Sequence, residues 1–285
     1  MVAPAPAVTR TTLVNIALAL LVAGIALFLY LRPDPRAKPE VPIARIDPER
    51  VTRIQVERGA APFVLEKRDS AWYLAKPYPA RADAFRTRQL LDLLNAKASG
   101  KLPATDLARF DLERPALRIV FDEQAIAFGT VNELSNEQYV ATGDGVFLIP
   151  ARHMAGLPQE AKDVTGRQLF GPNEEPVEIG LGGVTMAQRD GIWKLSPETA
   201  GLSQDDLNRW GNEWHSAASV LTQKSEGAAR GEPIAVKLKD GRVIRFSVVK
   251  KDPEPVLLRE DEGLEYHLSA AAAKRLLTPP SAAAN

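Results

Sequence analysis

The sequence contains no cysteine, which excludes disulfide bonds, thiolate nucleophiles and cysteine-based metal sites. Histidine is also scarce: His153, His215 and His267 are the only three, and no two of them have the spacing of a metal-binding or catalytic pair. Neither sign of charge is in excess, because 36 Lys and Arg balance 36 Asp and Glu. A neutral chain has no overall field that attracts nucleic acid, so we expect no nucleic-acid partner.

Common catalytic and ligand-binding motifs are missing as well. The run GLGG at 180–183 lacks the Lys-Ser/Thr of a phosphate-binding loop, and the chain has no Gly-x-Ser-x-Gly nucleophile elbow. The acidic stretches at 174–175 and 260–262 lack the alternating ligands of a calcium loop and are interpreted as solvated turns. We therefore expect a protein that is not an enzyme and that holds neither a cofactor nor a metal ion.

One long uncharged segment is present near the N-terminus. Residues 13–31 are 19 residues without a charge, between Arg10 and Arg32. At a rise of about 1.5 Å per residue, such a helix covers roughly the 30 Å hydrocarbon core of a membrane. The segment predicts one transmembrane helix that contacts the lipid bilayer. A cleaved signal peptide is the alternative, but the segment exceeds the usual apolar region of about 7 to 15 residues, and no clear small-x-small cleavage site follows it.

The residues on either side of this helix bear on its orientation. Residues 1–12 are predicted to form a cytoplasmic N-terminus, and residues 32–42 a stiff proline-rich spacer. Basic residues flank the helix on both sides, so charge counting by itself does not set the orientation. Because long domains translocate largely regardless of charge, we expect the remainder of the chain to lie outside the cytoplasm.

The pattern Arg-Asp-x-x-Trp-x-Leu occurs twice, at 68–74 and at 189–195. Around each copy the sequence predicts the same succession: a hairpin before it, then a helix, two further hairpins and a short helical piece. The predicted fold class is α+β, with the transmembrane helix followed by two tandem repeats of antiparallel β-hairpins, each with one main helix. The assigned ranges are 43–158 for the first repeat, 159–175 for a linker, 176–279 for the second repeat and 280–285 for a C-terminal tail.

The main helix of each repeat has a recognisable start. The first is predicted over 82–98 with Asp83 as its N-cap, and the second over 203–219. Ser203 and Asp206 have the spacing of a capping box at the second start. Gly100 lies just beyond the predicted end of the first helix, whose boundaries are less sharply marked than those of the second.

The repeated motif supplies four structural landmarks. Trp72 and Trp193 are expected to be equivalent core anchors, each where a strand leaves its hairpin and turns toward the helix. Asp69 and Asp190 precede residue types that favour tight turns, and an Asp side chain can accept hydrogen bonds from backbone amides two residues on. A twice-used binding motif is the alternative interpretation.

A family resemblance lies in FDLERPALRIVF at 110–121, with AWYLAKPYPARADAFRTRQLLDLL before it and YVATGDGVFLIP after it. These stretches resemble the bacterial domain of unknown function 4340. The resemblance implies an N-terminal membrane segment and a single-pass protein of the inner (cytoplasmic) membrane with its C-terminal domain outside the cytoplasm. Some members resemble auxiliary components of ABC transporters of the gliding-motility type, which implies a membrane-protein partner such as an ABC permease. The family resemblance identifies no catalytic residue in this chain.

Two functions are compatible with these observations. The first is a non-enzymatic, membrane-anchored interaction module, accessory to an ABC transporter or a cell-envelope assembly, whose strand edges could pair with a partner strand. The alternative is an extracytoplasmic ligand- or lipid-binding protein with a cleft between the two repeats, where pockets commonly form. An enzyme of unrecognised type ranks third.

If Trp72 and Trp193 are core anchors, truncating either to Ala should lower the free energy of unfolding by about 3 to 5 kcal/mol, because an indole buries a large apolar area. Thermal melts of the two variants measure this. Unchanged melting together with lost function would instead identify the motif as a binding site.

Overall fold

The computed structural model describes residues 10–31, 40–59, 61–227 and 231–281. Within these residues the chain is of mixed α/β class, with one N-terminal apolar helix and antiparallel sheets. It divides into two compact units, Met1–Glu40 and Val41–Asn285.

The first unit contains helix α1 (Arg10–Leu31). By length and composition it is the one helix in the described chain that is able to cross a membrane. A single-pass anchor and a signal peptide both fit such a helix. The predicted N-terminal segment and most of the predicted spacer lie outside the described residues. At the end of the spacer, Val41–Pro42 form a strand instead of a free linker.

The second unit begins with a nine-stranded sheet. The elements of this region are β1 (Val41–Pro42), β2 (Arg53–Arg58), β3 (Phe63–Arg68), β4 (Ala71–Lys76), β5 (Ala80–Arg81), α2 (Ala84–Leu91), β6 (Lys97–Ala98), β7 (Gly100–Leu102), β8 (Leu117–Phe121), β9 (Gln124–Asn132), β10 (Glu137–Thr142) and β11 (Gly145–Pro150). The strand order is β5-β4-β3-β2-β8-β9-β10-β11-β7, while β1 and β6 pair separately.

An eight-stranded sheet follows. Its region contains β12 (Pro176–Leu181), β13 (Val184–Arg189), β14 (Ile192–Ser196), α3 (Gln204–His215), β15 (Leu221–Lys224), β16 (Glu232–Leu238), β17 (Val243–Lys250), β18 (Val256–Arg259), β19 (Leu264–His267) and α4 (Ala270–Leu277). The strand order is β14-β13-β12-β16-β17-β18-β19-β15. Short 3-10 turns join elements at Pro48–Arg50, Asp92–Asn95, Leu107–Phe110, Ala151–Met154 and Ala161–Val164.

The strands form where apolar residues alternate with polar ones. In β16 the side chains of Ile234, Val236 and Leu238 are buried while their neighbours are exposed, so one face of the strand covers the core. The turn between β12 and β13 uses Gly182 and Gly183 with φ values of 60° and 82°. Glycine adopts these left-handed angles without steric cost, which suits a two-residue hairpin.

Both predicted helix starts are confirmed, but the helix ends are wrong. The Asp83 side chain accepts a hydrogen bond from the Arg86 N–H at 2.9 Å, and Ser203 with Asp206 forms the capping box. Helix α2 ends at Leu91, because the chain beyond its following 3-10 turn pairs as β6 with β1. The helical residue pattern contains no information about that distant partner.

The predicted linker is part of the core. Val164, Leu169 and Phe170 are buried, and the Phe170 ring lies 6.5 Å from the Trp214 ring and 5.7 Å from the Phe246 ring. Buried residues of both sheets belong to one continuous hydrophobic cluster. The segment between the sheets therefore joins them through apolar packing and is not a flexible connector.

A glycine in α3 determines how Trp193 packs. A Cβ atom added at Gly211 would lie 2.7 Å from Nε1 and Cε2 of the Trp193 indole, closer than real Cβ contacts. The indole therefore lies directly against the helix backbone, and Trp193 is only 7% exposed. Close packing of this kind leaves no room for an extra methyl group.

Replacing Gly211 by Ala is expected to lower the free energy of unfolding by up to about 2 kcal/mol. Helix propensity alone would stabilise the variant by about 1 kcal/mol, but overpacking a fitted core costs about 1 to 3 kcal/mol. Thermal or urea unfolding, followed by tryptophan fluorescence, measures the difference. The exposed neighbouring change Asn212→Ala is the control and should not destabilise. A Gly211→Ala protein more stable than wild type would contradict this packing.

Candidate functional site

An open groove of about 1320 Å³ runs along α2. Its lining comes from α2 and the 3-10 turn after it, from the start of β4, from the turn Pro48–Arg50 and from the segment around 166–172. The groove therefore combines parts of the first sheet region with the chain that connects the two sheets.

Backbone hydrogen bonds fix the start of α2 against the connecting segment. The Asp83 N–H donates to the Val164 carbonyl at 2.8 Å, and the Gly166 N–H donates to the Arg81 carbonyl at 2.7 Å. These bonds keep Arg167 close to the first turn of α2. The N-terminal end of the groove is thus built from rigid backbone.

The other end of the groove is fixed by a different set of contacts. Lys67 Nζ donates to the Glu49 carbonyl at 3.0 Å, which ties the turn Pro48–Arg50 to β3. This turn also contacts the 3-10 turn Asp92–Asn95 at the end of α2. Glu49 and Asp92 therefore lie at the same end of the groove.

Four charged side chains of the groove have no ion-pair or hydrogen-bond partner among the described residues. They are two cations and two carboxylates: Arg88, Arg167, Glu49 and Asp92. All four are exposed. A charged side chain without an internal partner is available to bind a ligand. The paired charges around these four already bind each other or the backbone.

The two motif tryptophans occupy different surroundings. Trp193 is buried against α3, whereas Trp72 is half-buried and lines the groove. Asp69 and Asp190 are in the left-handed region, with φ values of 54° and 53°, in the two-residue turns before β4 and β14. The backbone of both Asp residues thus forms the turns that precede the tryptophans.

The two main helices differ at the position of Gly211. Counted from the two N-caps, Leu91 of α2 stands where Gly211 stands in α3. Leu91 packs against the core and lines the groove. Gly211 leaves room for the Trp193 indole against the backbone of α3, whereas a leucine side chain occupies the matching position of α2.

A buried ionic cluster lies beside the groove and is centred on Arg259, which is 1% exposed. Its Nη1 and Nη2 atoms each donate to one Glu174 carboxylate oxygen at 2.8 Å. Nε and Nη2 donate to the two oxygens of Asp261 at 3.0 Å, and Nη1 also donates to the Leu169 carbonyl at 2.7 Å. A buried guanidinium is stable only when its donors are satisfied in this way.

The same cluster extends to the first sheet through Arg81 of β5. Arg81 Nε donates to Glu262 Oε1 at 3.1 Å, and its Nη2 donates to the Tyr266 hydroxyl at 3.1 Å. The Tyr266 hydroxyl in turn donates to Glu262 Oε2 at 2.6 Å. We call Arg81, Glu174, Arg259, Glu262 and Tyr266 the ionic clasp, because it joins β5 of the first sheet to the β18–β19 hairpin of the second.

Burial and charge set the protonation of the clasp. Burial would raise the pKa of Glu174, but hydrogen bonds from Arg259 and the Gly171 N–H outweigh it and lower that pKa from 4.5 to about 2. Burial opposes the charge of Arg259, yet its hydrogen bonds with the carboxylates raise its pKa further. Burial and then the Glu262 charge raise the pKa of Tyr266, so its hydroxyl stays protonated and donates. At neutral pH Glu174 and Arg259 are therefore both charged, while the Tyr266 hydroxyl is neutral.

The surroundings of Glu174 and Glu262 differ from those that the sequence predicts. The acidic stretches at 174–175 and 260–262 were expected to be solvated turns, which is wrong for Glu174 and Glu262. Each binds an arginine in the clasp. No local signal separates Glu174 from its neighbour Glu175, which forms a surface pair with Lys239. Only the position of distant arginines distinguishes the two.

The three histidines belong to three different elements. Burial lowers the pKa of His153, in the turn Ala151–Met154. His215 ends α3 and lines the groove, and His267 is in β19. Among the described residues, no group of three or more His, Cys, Asp or Glu side chains could hold a metal ion.

The family model described as Domain of unknown function (DUF4340) matches residues 72–224, more than half of the 285 residues. The chain therefore belongs to this family. The match begins at Trp72 and ends with β15, so it includes α2, the connecting segment and parts of both sheets. No curated protein and no solved structure matches the chain.

Removing the Glu174 charge is expected to destabilise the fold in a pH-dependent way. The lowered pKa of Glu174 corresponds to about 3 kcal/mol of stability that is present above pH 4.5 and lost as pH falls toward 2. The Glu174→Gln protein should therefore unfold about 3 kcal/mol more easily at pH 7, and the gap should shrink at pH 3. Urea unfolding at both pH values measures this.

Glu175→Gln is the matched control, because its partner Lys239 is exposed and surface ion pairs contribute little. Its effect should stay within about 0.5 kcal/mol at both pH values. Equal effects of the two substitutions at pH 7 would show that the clasp does not hold the fold together.

Proposed function

We propose that this protein is a non-enzymatic, single-pass membrane protein whose folded unit acts outside the cytoplasm as an interaction module. The observation that carries the proposal is the apolar helix α1 at the start of a chain whose second unit has its own hydrophobic core. A helix of this length and composition suits an uncleaved anchor in the inner membrane of a bacterium. The module would be accessory to an ABC transporter or another cell-envelope assembly, with a membrane permease as its partner.

We infer further that the folded unit is a duplication of one α+β element. In support, the strands that carry the repeated motif, β4 and β14, hold corresponding places in the two strand orders once the two-residue strand β5 is set aside. So do β7 and β15, the strands that follow the main helices α2 and α3. A tandem repeat would explain why Arg-Asp-x-x-Trp-x-Leu occurs twice in hairpins of the same type.

The groove favours a second function, the binding of a ligand or lipid. It is concave, it lies where the connecting segment joins the two sheets, and it combines apolar surface with a few unpaired charges. Binding sites in proteins commonly have this composition. Purifying the intact protein from membranes separates the two functions: a stoichiometric permease supports the interaction module, and a retained small molecule or lipid supports the second.

Protease added to intact spheroplasts should digest the folded unit, because we expect everything beyond α1 to be outside the cytoplasm. An N-terminal tag should remain joined to α1 in the membrane fraction, since the helix is expected to be an uncleaved anchor. A cytoplasmic marker protein that stays intact is the control. Digestion of the folded unit only after lysis would overturn the orientation, and loss of the tag with release of the folded unit would identify α1 as a signal peptide.

A further inference from the structure

We propose that the groove binds an extended peptide segment of a partner protein, with an acidic side chain at the end of Arg88 and Arg167 and a basic side chain at the end of Glu49 and Asp92. An apolar side chain between them would lie on Trp72. The inference rests on the proposed interaction function and deepens it by naming the chemistry of the partner.

The basic end of the groove is built for a carboxylate. Arg167 is held beside the first turn of α2 by the backbone bonds of the connecting segment, and Arg88 lies one turn further along the same face as Phe85. Both guanidinium groups are exposed and lack partners among the described residues. Guanidinium groups bind carboxylates in a two-point geometry, and an acidic side chain supplies that group.

The opposite end has the opposite charge. Glu49 and Asp92 are brought together because the turn Pro48–Arg50 contacts the turn Asp92–Asn95. Their carboxylates have no partner within the described chain. A Lys or Arg side chain of a bound segment would neutralise this end, so the groove as a whole suits a ligand with one charge of each sign.

Apolar surface lies between and beside the charged ends. Trp72 is half-buried and Leu91 is partly buried in the groove, while Phe85 at its rim is 67% exposed. Together these side chains give the groove an aromatic and aliphatic surface, and aromatic residues are enriched where proteins bind one another. We therefore assign the middle of the groove to an apolar side chain of the partner.

The length of α2 sets the spacing of charges in the partner. From the first turn of α2, beside which Arg167 is held, to Asp92 the helical rise is about 13 Å, whereas Arg88 is one turn and about 6 Å from Asp92. An extended chain covers these two distances in about four and about two residues, respectively, at about 3.3 Å each. The acidic and basic side chains should therefore be separated by two to four residues, with the apolar side chain between them.

Charge balance favours a peptide over a lipid surface. Anionic lipid headgroups are bound by clusters of several Lys and Arg, whereas the unpaired charges here are two arginines and two carboxylates. A peptide segment carries both signs at fixed spacing. The groove charges therefore match a polypeptide better than a membrane.

The test is selection from a phage-displayed random heptapeptide library on the full-length protein in phosphatidylcholine nanodiscs. Wild type should enrich peptides with an acidic and a basic residue separated by two to four positions around an apolar residue. The double variant Arg88→Glu/Arg167→Glu should lose the acidic preference and bind a wild-type-selected peptide at least tenfold more weakly in fluorescence polarisation.

Two control variants accompany the selection. Arg189→Glu/Arg245→Glu makes the same change of charge at exposed arginines outside the groove lining, and its binding should stay within twofold of wild type. Peptide binding should change tryptophan fluorescence in Trp193→Phe and not in Trp72→Phe. Circular dichroism checks that each variant is folded.

Each negative result of the selection leads to a different conclusion about the groove. No enriched peptides, or the same peptides from wild type and the Arg88/Arg167 variant, would overturn the peptide assignment. If short-chain phosphatidylglycerol binds in the groove while no peptide is enriched, the occupant is a lipid. An extracytoplasmic domain that copurifies with a permease but selects no peptide would leave the proposed function standing and remove only this inference.

Discussion

Burial of the Arg259 guanidinium is the constraint on which the arrangement of the two sheets depends. A charge that is 1% exposed must have its donors satisfied, and Glu174, Asp261 and the Leu169 carbonyl together do this. Two of these partners belong to the segment between the sheets. Arg259 therefore holds that segment in place, and Arg81 extends the clasp to the first sheet. The groove owes its position to this arrangement.

The two motif tryptophans differ in their surroundings, and helices α2 and α3 differ at one matching position. Because Gly211 has no side chain, the Trp193 indole packs directly against the backbone of α3, and this tryptophan is part of the core. Leu91 fills the corresponding place in α2, and Trp72 stays at the surface of the groove. Trp193 is therefore part of the core, whereas Trp72 lines the groove.

Local chemistry made much of the fold predictable. The N-cap at Asp83 and the capping box at Ser203 and Asp206 are satisfied within one helical turn, so the sequence shows them directly. The short strands β7 and β15 were not predicted, although they close the far edges of the sheets beside β11 and β19. Strands of three and four residues have too few positions for alternation to be visible, and only their partners make them strands.

The sequence by itself determined the apolar N-terminal helix, the hairpins with their turns, the helix starts and the family, because each is encoded in adjacent or regularly spaced residues. The tertiary structure alone decided which charged residues are buried and which are free. Glu174 and Glu175 are neighbours of the same type, yet one binds buried Arg259 and the other a surface lysine. The physical reason is that desolvation and pairing depend on groups more than 60 residues away, which no local pattern contains.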